Sequence, residues 1–207
     1  MENERLIETL EACGTSRGVL SDPRIAHLLV QGSSLLSARQ VPGLDVRTEE
    51  TGDGLRARVR LAAGTRLEQP VHLCFGIVGP SGLQRIVMDV GLGPESAAHF
   101  VAHCLFPEAR EVRHLMEAAV EIGEGAELRY SEIHFHGPHG GIVVAPTAKV
   151  AVGRKGRFLG DFSLTTGRVG RLEIDFEVEV GEAGVAELVA RASGRGTDAI
   201  RIREKVV

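Results

Sequence analysis

The chain has 207 residues, with 24 Lys and Arg against 28 Asp and Glu, and a formal net charge of −4 at pH 7. This length can bury a substantial core in one domain, and 43% hydrophobic residues is ordinary for a globular protein. No block of about five basic residues occurs, which argues against nucleic-acid binding. The N-terminal residues MENERLIETLEACG are charged and lack the apolar core of a signal peptide, and no apolar stretch approaches roughly 20 residues, so we expect no membrane span. Three cysteines without tight spacing favour the reducing cytoplasm.

The beginning of the chain is predicted to be helical. Leu6, Ile7 and Leu10 recur at a helical spacing, and Gly14 occupies a C-cap position. We expect residues 1–20 to form an N-terminal helical segment that packs on a core formed by residues 21–207.

From Ile25 onward the sequence consists of short apolar runs separated by glycines. The clearest run alternates apolar and charged residues, with Leu172, Ile174, Phe176 and Val178 on one face. A period of two is typical of a half-buried strand. The chain is therefore predicted to be mainly β.

Strand ends that finish in glycine repeat along the chain. Gly123, Gly153 and Gly181 are separated by 30 and 28 residues, and Gly64 and Gly91 extend the series with gaps of 27 and 32. A repeat of this length, holding two strands and no convincing helix, predicts stacked β coils of a β-helix. A β-sandwich with regular hairpins is the alternative architecture.

The segment from His99 to Pro138 concentrates the side chains that can do chemistry. It holds five of the eight histidines, together with Cys104 and the only tyrosine, Tyr130. Imidazole and thiolate bind borderline metals and carry protons near neutral pH. This concentration predicts a functional site.

Within this segment, Glu132, His134 and His136 alternate along one predicted strand. A period of two places all three side chains on one face, where they form a half-site suited to Fe(II) or Zn(II). Solvated histidines on an outward face are the alternative interpretation.

Two neighbouring strands offer further candidates. His103 and Cys104 are adjacent in the sequence, so they point to opposite faces of their strand, and His114 lies on the next strand. These residues complete the candidate set if adjacent coils align them. A buried structural thiol is the alternative for Cys104.

Six segments, taken in order, carry a family resemblance: VPGL at 41–44, QPVHLCFG at 69–76, HCLFP at 103–107, HLM at 114–116, YSEIHFHG at 130–137 and GRVG at 167–170. Together they resemble the core domain shared by SufB and SufD, the scaffold proteins of the Suf iron–sulfur cluster assembly machinery. The resemblance is to the short, standalone members of this family.

The resemblance implies a right-handed parallel β-helix and a scaffold, not an enzyme. It implies an iron–sulfur cluster or iron, transiently bound, with a Cys thiolate as sulfur acceptor or cluster ligand. The implied partners are a SufC-like ABC-type ATPase and either a second SufB/SufD-like subunit or a second copy of this chain.

The chain departs from the family at its end. Family members continue into further coils and a C-terminal helical segment that docks the ATPase, and SufB-type scaffolds use a downstream cysteine, whereas this sequence ends at Val207 within an apparent strand. We therefore expect a C-terminally truncated or reduced member.

Two other functions stay open at this stage. A metal-dependent cupin-like enzyme is suggested by the Glu-x-His-x-His pattern, but Pro138 and His139 follow where a cupin needs a further Glu. A structural β-solenoid that acts only as an interaction partner is the third possibility.

Overall fold

The computed structural model describes residues 2–207, with side chains from residue 4 onward. It begins with two helices, α1 (Glu2–Ala12) and α2 (Gly18–Ser21). The strands follow in this order: β1 (His27–Gln31), β2 (Ser34–Arg39), β3 (Leu44–Thr51), β4 (Gly54–Leu61), β5 (Val71–Gly76), β6 (Ser81–Leu92), β7 (Ala97–Phe106), β8 (Glu111–Ile122), β9 (Glu127–His136), β10 (Ile142–Val152), β11 (Arg157–Thr166), β12 (Gly170–Val180), β13 (Val185–Ala192) and β14 (Ala199–Val206). The described chain is mainly β, as the alternation of apolar residues predicts.

From β5 onward, successive strands alternate between two sheets, and each strand pairs in parallel with the strand two positions further on. Over residues 2–207, sheet 1 has the order β13-β11-β9-β7-β5-β1-β2 and sheet 2 has the order β14-β12-β10-β8-β6-β4-β3. Each coil contributes one strand to each sheet, which gives a parallel β-solenoid of about 5 turns. The predicted solenoid is confirmed. The sandwich alternative is excluded because sandwiches of that kind are built from antiparallel strands.

The solenoid starts differently from its later coils. β1 pairs antiparallel with β2, and β3 pairs antiparallel with β4. Gly32 turns the first hairpin with a φ of 58°, a left-handed conformation that favours glycine. The apolar runs predict neither β2 nor β3, because both strands carry mostly half-buried or exposed side chains.

The core lies between the two sheets, where alternate side chains of each coil point inward. Ile174, Phe176 and Val178 are buried there, as their spacing predicts. The outer faces carry charged side chains that pair across coils, as Arg203 does with Asp175 at 2.8 Å. Such half-exposed pairs contribute at most about 1 kcal/mol each. Burial between the sheets therefore contributes much more to holding the coils together than these ion pairs do.

The helix α1 covers the outer face of sheet 1. Leu6 and Leu10 are fully buried against Cys74 and Leu105 in a second apolar cluster. Gly14 follows the helix with a φ of 86°, so the predicted helix and its glycine cap are confirmed. Within residues 2–207, neither helix has the length and apolar character that a transmembrane helix requires.

A column of glycines forms one corner of the stacked coils. The corner glycines follow one another at spacings of 30, 30 and 28 residues: Gly93, Gly123, Gly153 and Gly181. A Cβ on Gly153 would lie 2.9 Å from the carbonyl oxygen of Ile122 in the coil before it, which is closer than van der Waals contact allows. Close stacking thus explains the glycine repeat, although Gly64 and Gly91 lie outside this column and Gly91 is inside β6.

We expect Gly153→Ala to lower the free energy of unfolding by about 1–3 kcal/mol, because the added methyl group has no space beside the stacked carbonyl. Gly52 is the matched control, since a Cβ there meets nothing within 4 Å. Gly52→Ala should unfold in urea at nearly the wild-type midpoint. Equal midpoints for the two variants would contradict the close-packed column.

Candidate metal centre

The inward face of β9 carries the polar group that the sequence predicts. Glu132, His134 and His136 alternate along this strand and are each 2% exposed. Tyr130 precedes them and packs against the same core. These histidines point between the sheets, so they are not the solvated outer-face residues of the alternative interpretation.

Two neighbouring strands add a thiol and an imidazole. Cys104 on β7 is fully buried and lies beside His134 in the parallel register of sheet 1. His114 on β8 approaches from sheet 2, and its Nε2 lies 3.7 Å from the Cys104 Sγ. The alignment of adjacent coils that the sequence prediction requires is therefore present for both residues.

Three of these donors converge. One ligand atom each from Cys104, Glu132 and His134 lies within 4.8 Å of the other two. Thiolate, imidazole and carboxylate together suit Fe(II) or Zn(II), whereas Mg²⁺ and Ca²⁺ prefer oxygen ligands. Phe106 and Phe162 lie 6.5 and 4.8 Å from the His134 ring, centroid to centroid, and give the group an apolar surrounding.

His103 lies on the opposite face of sheet 1. Its Nε2 is 3.2 Å from Nδ1 of His72, and its ring is 3.5 Å from the Thr15 hydroxyl. The two rings are parallel within 4°, and their 5.4 Å centroid separation is about the N–N distance plus the two ring radii. The two nitrogens therefore point at each other in an N–H···N hydrogen bond. The structure does not bring His103 to the candidate centre.

A continuous hydrogen-bonded chain runs along β9 through the centre. The Tyr130 hydroxyl donates to Oε2 of Glu132 at 3.1 Å, and Oε1 of Glu132 lies 2.7 Å from Nε2 of His134. Nδ1 of His134 lies 3.1 Å from Nε2 of His136. Nδ1 of His136 lies 3.2 Å from the carbonyl oxygen of Arg168. Every polar atom of these side chains along the path has a partner.

The last acceptor fixes the direction of the bonds in this chain. A carbonyl oxygen only accepts, so Nδ1 of His136 carries the hydrogen and its Nε2 accepts from Nδ1 of His134. Nε2 of a neutral His134 is then an acceptor as well. The hydrogen in the 2.7 Å contact therefore belongs to Glu132, which is a neutral carboxylic acid in this arrangement.

Burial moves the pKa of each group in the centre toward its neutral form. It raises the pKa of Glu132 to about 7 and lowers the pKa of His114, His134 and His136 to about 3 each. Burial, and then the nearby Glu132, raises the pKa of the Cys104 thiol well above its ordinary value. At neutral pH the imidazoles are therefore free bases that can bind a cation, whereas the thiol must first lose its proton.

Two buried polar atoms near the centre have no hydrogen-bond partner among residues 2–207. They are Nδ1 of His114 and Oε1 of Gln84, at paired positions of β8 and β6. A separate, mostly apolar cavity of about 40 Å³ is lined in part by Tyr130 and Glu132, but neither His114 nor Gln84 lines it. No pattern in the sequence points to Gln84, because only the register between coils places it beside His114.

Replacing Glu132 with Gln tests the neutral carboxylic acid. A Gln amide keeps both hydrogen bonds, since its N–H donates to His134 and its oxygen accepts from Tyr130. The pKa of Glu132 is about 7 in the folded protein, against about 4.5 in the unfolded chain. The free energy of unfolding therefore falls as the pH rises from about 4.5 through 7, because the unfolded chain releases this proton first.

We therefore expect metal-free Glu132→Gln to be more stable than the wild type at pH 8, by about 3 kcal/mol at most. The difference should shrink as the pH falls and disappear near pH 4. Urea unfolding in the presence of a chelator measures it. A variant that is less stable than the wild type at pH 8 would show that Glu132 is ionised and stabilising in the folded chain.

Comparisons with known proteins find two archaeal relatives whose names refer to iron–sulfur cluster assembly. No family model matches the sequence. A protein of Pyrococcus horikoshii named iron–sulfur cluster assembly SufBD family protein is 29% identical over 203 residues, which cover 98% of this chain and 61% of that protein. A protein of Methanocaldococcus jannaschii with the same family name is 29% identical over 180 residues, which cover 87% of this chain and 57% of that protein.

The chain spans about three fifths of the length of these two curated relatives. The matched region includes most of the solenoid described above. The resemblance to the SufB and SufD family that the sequence predicts is thus confirmed by two curated archaeal relatives over most of the chain.

Proposed function

We propose that this chain takes part in iron–sulfur cluster assembly, and that Cys104, Glu132 and His134 hold iron transiently inside the solenoid. The observation that carries the proposal is the convergence of a thiol, a carboxyl and an imidazole within 4.8 Å in one apolar interior. Similarity to two relatives named for cluster assembly supports it. His114 is the fourth donor in this proposal, because its Nε2 already lies 3.7 Å from the thiol.

The protonation states set the order of events in this proposal. The Cys104 thiol is protonated in the metal-free chain, so it is a weak nucleophile and a weak ligand. A cation beside the sulfur favours the thiolate. We therefore propose that iron binds before Cys104 acts as sulfur acceptor or cluster ligand. Binding displaces the thiol proton and the Glu132 proton, so affinity should fall as the pH is lowered.

We further propose that the chain works as a scaffold in a complex and is not an enzyme. The resemblance supports a SufC-like ATPase as partner, together with a second SufB/SufD-like subunit or a second copy of this chain. The three cysteines of the chain, Cys13, Cys74 and Cys104, are free thiols. Free thiols fit a reducing, cytoplasmic location.

Anaerobic reconstitution with Fe(II) and sulfide tests the centre. We expect wild-type protein to retain iron and acid-labile sulfide, and Cys104→Ala and His134→Ala to retain about tenfold less, because each removes one of few ligands. Cys74→Ala is the matched control. Cys74 is as deeply buried as Cys104, but it lies on the outer face of sheet 1.

Three other outcomes of this experiment would reject the proposal in whole or in part. Iron retained without sulfide would reject the role in cluster assembly but not the iron site, and would favour a metal-dependent enzyme. Retention of neither would favour a structural solenoid that acts through its partners. Equal iron and sulfide in the wild type, Cys104→Ala and His134→Ala would show that the iron site lies elsewhere.

A further inference from the structure

His136 lies next to the proposed ligands but has both of its ring nitrogens engaged. Nδ1 donates to the carbonyl oxygen of Arg168, and Nε2 accepts from Nδ1 of His134. To bind a cation, Nε2 of His136 would have to give up its bond to His134. Both nitrogens of His136 are therefore engaged by hydrogen bonds to groups other than Cys104 and Glu132, whereas Nε2 of His134 faces Glu132.

The geometry of the two rings supports this distinction. The N–N distance is 3.1 Å and the centroids are 5.3 Å apart, so both nitrogens lie close to the line that joins the rings. Lone pairs of two ligands on one cation converge on a third point instead. The pair formed by His134 and His136 is therefore a hydrogen bond.

The hydrogen-bonded chain of side chains ends at Arg168, and Asp198 anchors that residue. The carboxylate of Asp198, whose side chain is fully buried, accepts hydrogen bonds from the Arg168 guanidinium at 3.0 and 3.2 Å. It also accepts from the backbone N–H of Gly170 and of Arg195 at 3.3 and 3.0 Å. Asp198 thereby ties a corner of the next coil to Arg168, whose carbonyl holds His136.

We infer that His136 is a positioning residue: it holds the His134 ring so that Nε2 of His134 faces Cys104 and Glu132, where a divalent cation of the Fe(II), Co(II) and Zn(II) class binds. This inference rests on the proposed function for its cation. A histidine ligand commonly donates its second N–H to a fixed acceptor, which sets its tautomer and orientation. Here the acceptor is another histidine, anchored by a backbone carbonyl.

Two substitutions at position 136 separate positioning from ligation. In His136→Gln the amide oxygen accepts from Nδ1 of His134 and the amide N–H donates to Arg168, so both bonds survive. In His136→Leu both are lost. We expect His136→Leu to weaken Co(II) binding about tenfold to a hundredfold. His136→Gln should bind within about threefold of wild type, because its hydrogen bonds are retained.

The absorption spectrum of the Co(II) protein shows whether His136 is a metal ligand, which a measurement of affinity alone does not show. Wild type and both variants should bind one Co(II) with the same thiolate-to-cobalt band, because no ligand is removed. If the Co(II) absorption spectrum of His136→Gln differed from that of wild type, His136 would be a ligand of the metal. Wild-type affinity in His136→Leu would show that the hydrogen bond does not matter.

Nitrogen NMR of metal-free protein tests the positioning separately from any metal. We expect Nε2 of His134 to be unprotonated in wild type and in His136→Gln, and to exchange between tautomers in His136→Leu. A fixed tautomer in all three proteins would overturn the inference even if Co(II) binds. A fixed tautomer in wild type and His136→Gln without Co(II) binding would instead reject the metal centre and leave the positioning of His134 intact.

Discussion

Parallel hydrogen bonding between successive coils places residues about 30 positions apart side by side, and the rest of the structure depends on this register. Cys104 meets His134 because β7 and β9 pair without a shift along their length. His114 reaches the same point because β8 occupies the same coil in sheet 2. The glycine corners keep the coils at this spacing, since a side chain there would collide with a backbone carbonyl.

A row of hydrogen-bonded polar side chains runs through the apolar core of this solenoid. A buried charge without a partner is costly, and a buried polar group needs hydrogen bonds. The chain from Tyr130 to Arg168 meets both conditions, because its members are satisfied while uncharged. The carboxylic acid proton of Glu132 lies between Glu132 and His134, where a cation in the proposed function takes its place.

The two faces of sheet 1 have separate roles. The inward face carries Cys104 together with Glu132, His134 and His136 of β9. The outward face carries His72 and His103, which lie under the segment that follows α1. Adjacent residues in one strand point to opposite faces, so neighbours in the sequence such as His103 and Cys104 belong to different environments. The concentration of histidines between residues 99 and 138 therefore reflects two clusters rather than one.

The sequence by itself determined the strand character of the chain, its coil repeat, the N-terminal helix and the shared face of Glu132, His134 and His136. These features follow from periods of two and about 30 residues and from helical spacing, which are local properties. The antiparallel pairing of β1 with β2 was not predicted, because β2 carries mostly half-buried or exposed side chains and no apolar run marks it as a strand.

Only the tertiary structure decided which face of β9 is inside, that His114 approaches Cys104 from the opposite sheet, and that Gln84 lies beside His114. It also decided that His136 holds His134 through a bond to the Arg168 carbonyl. The physical reason is that these contacts join different strands or coils, except for the bond between His134 and His136 within β9. Their geometry depends on the register and stacking of the solenoid, which no local pattern of residues specifies.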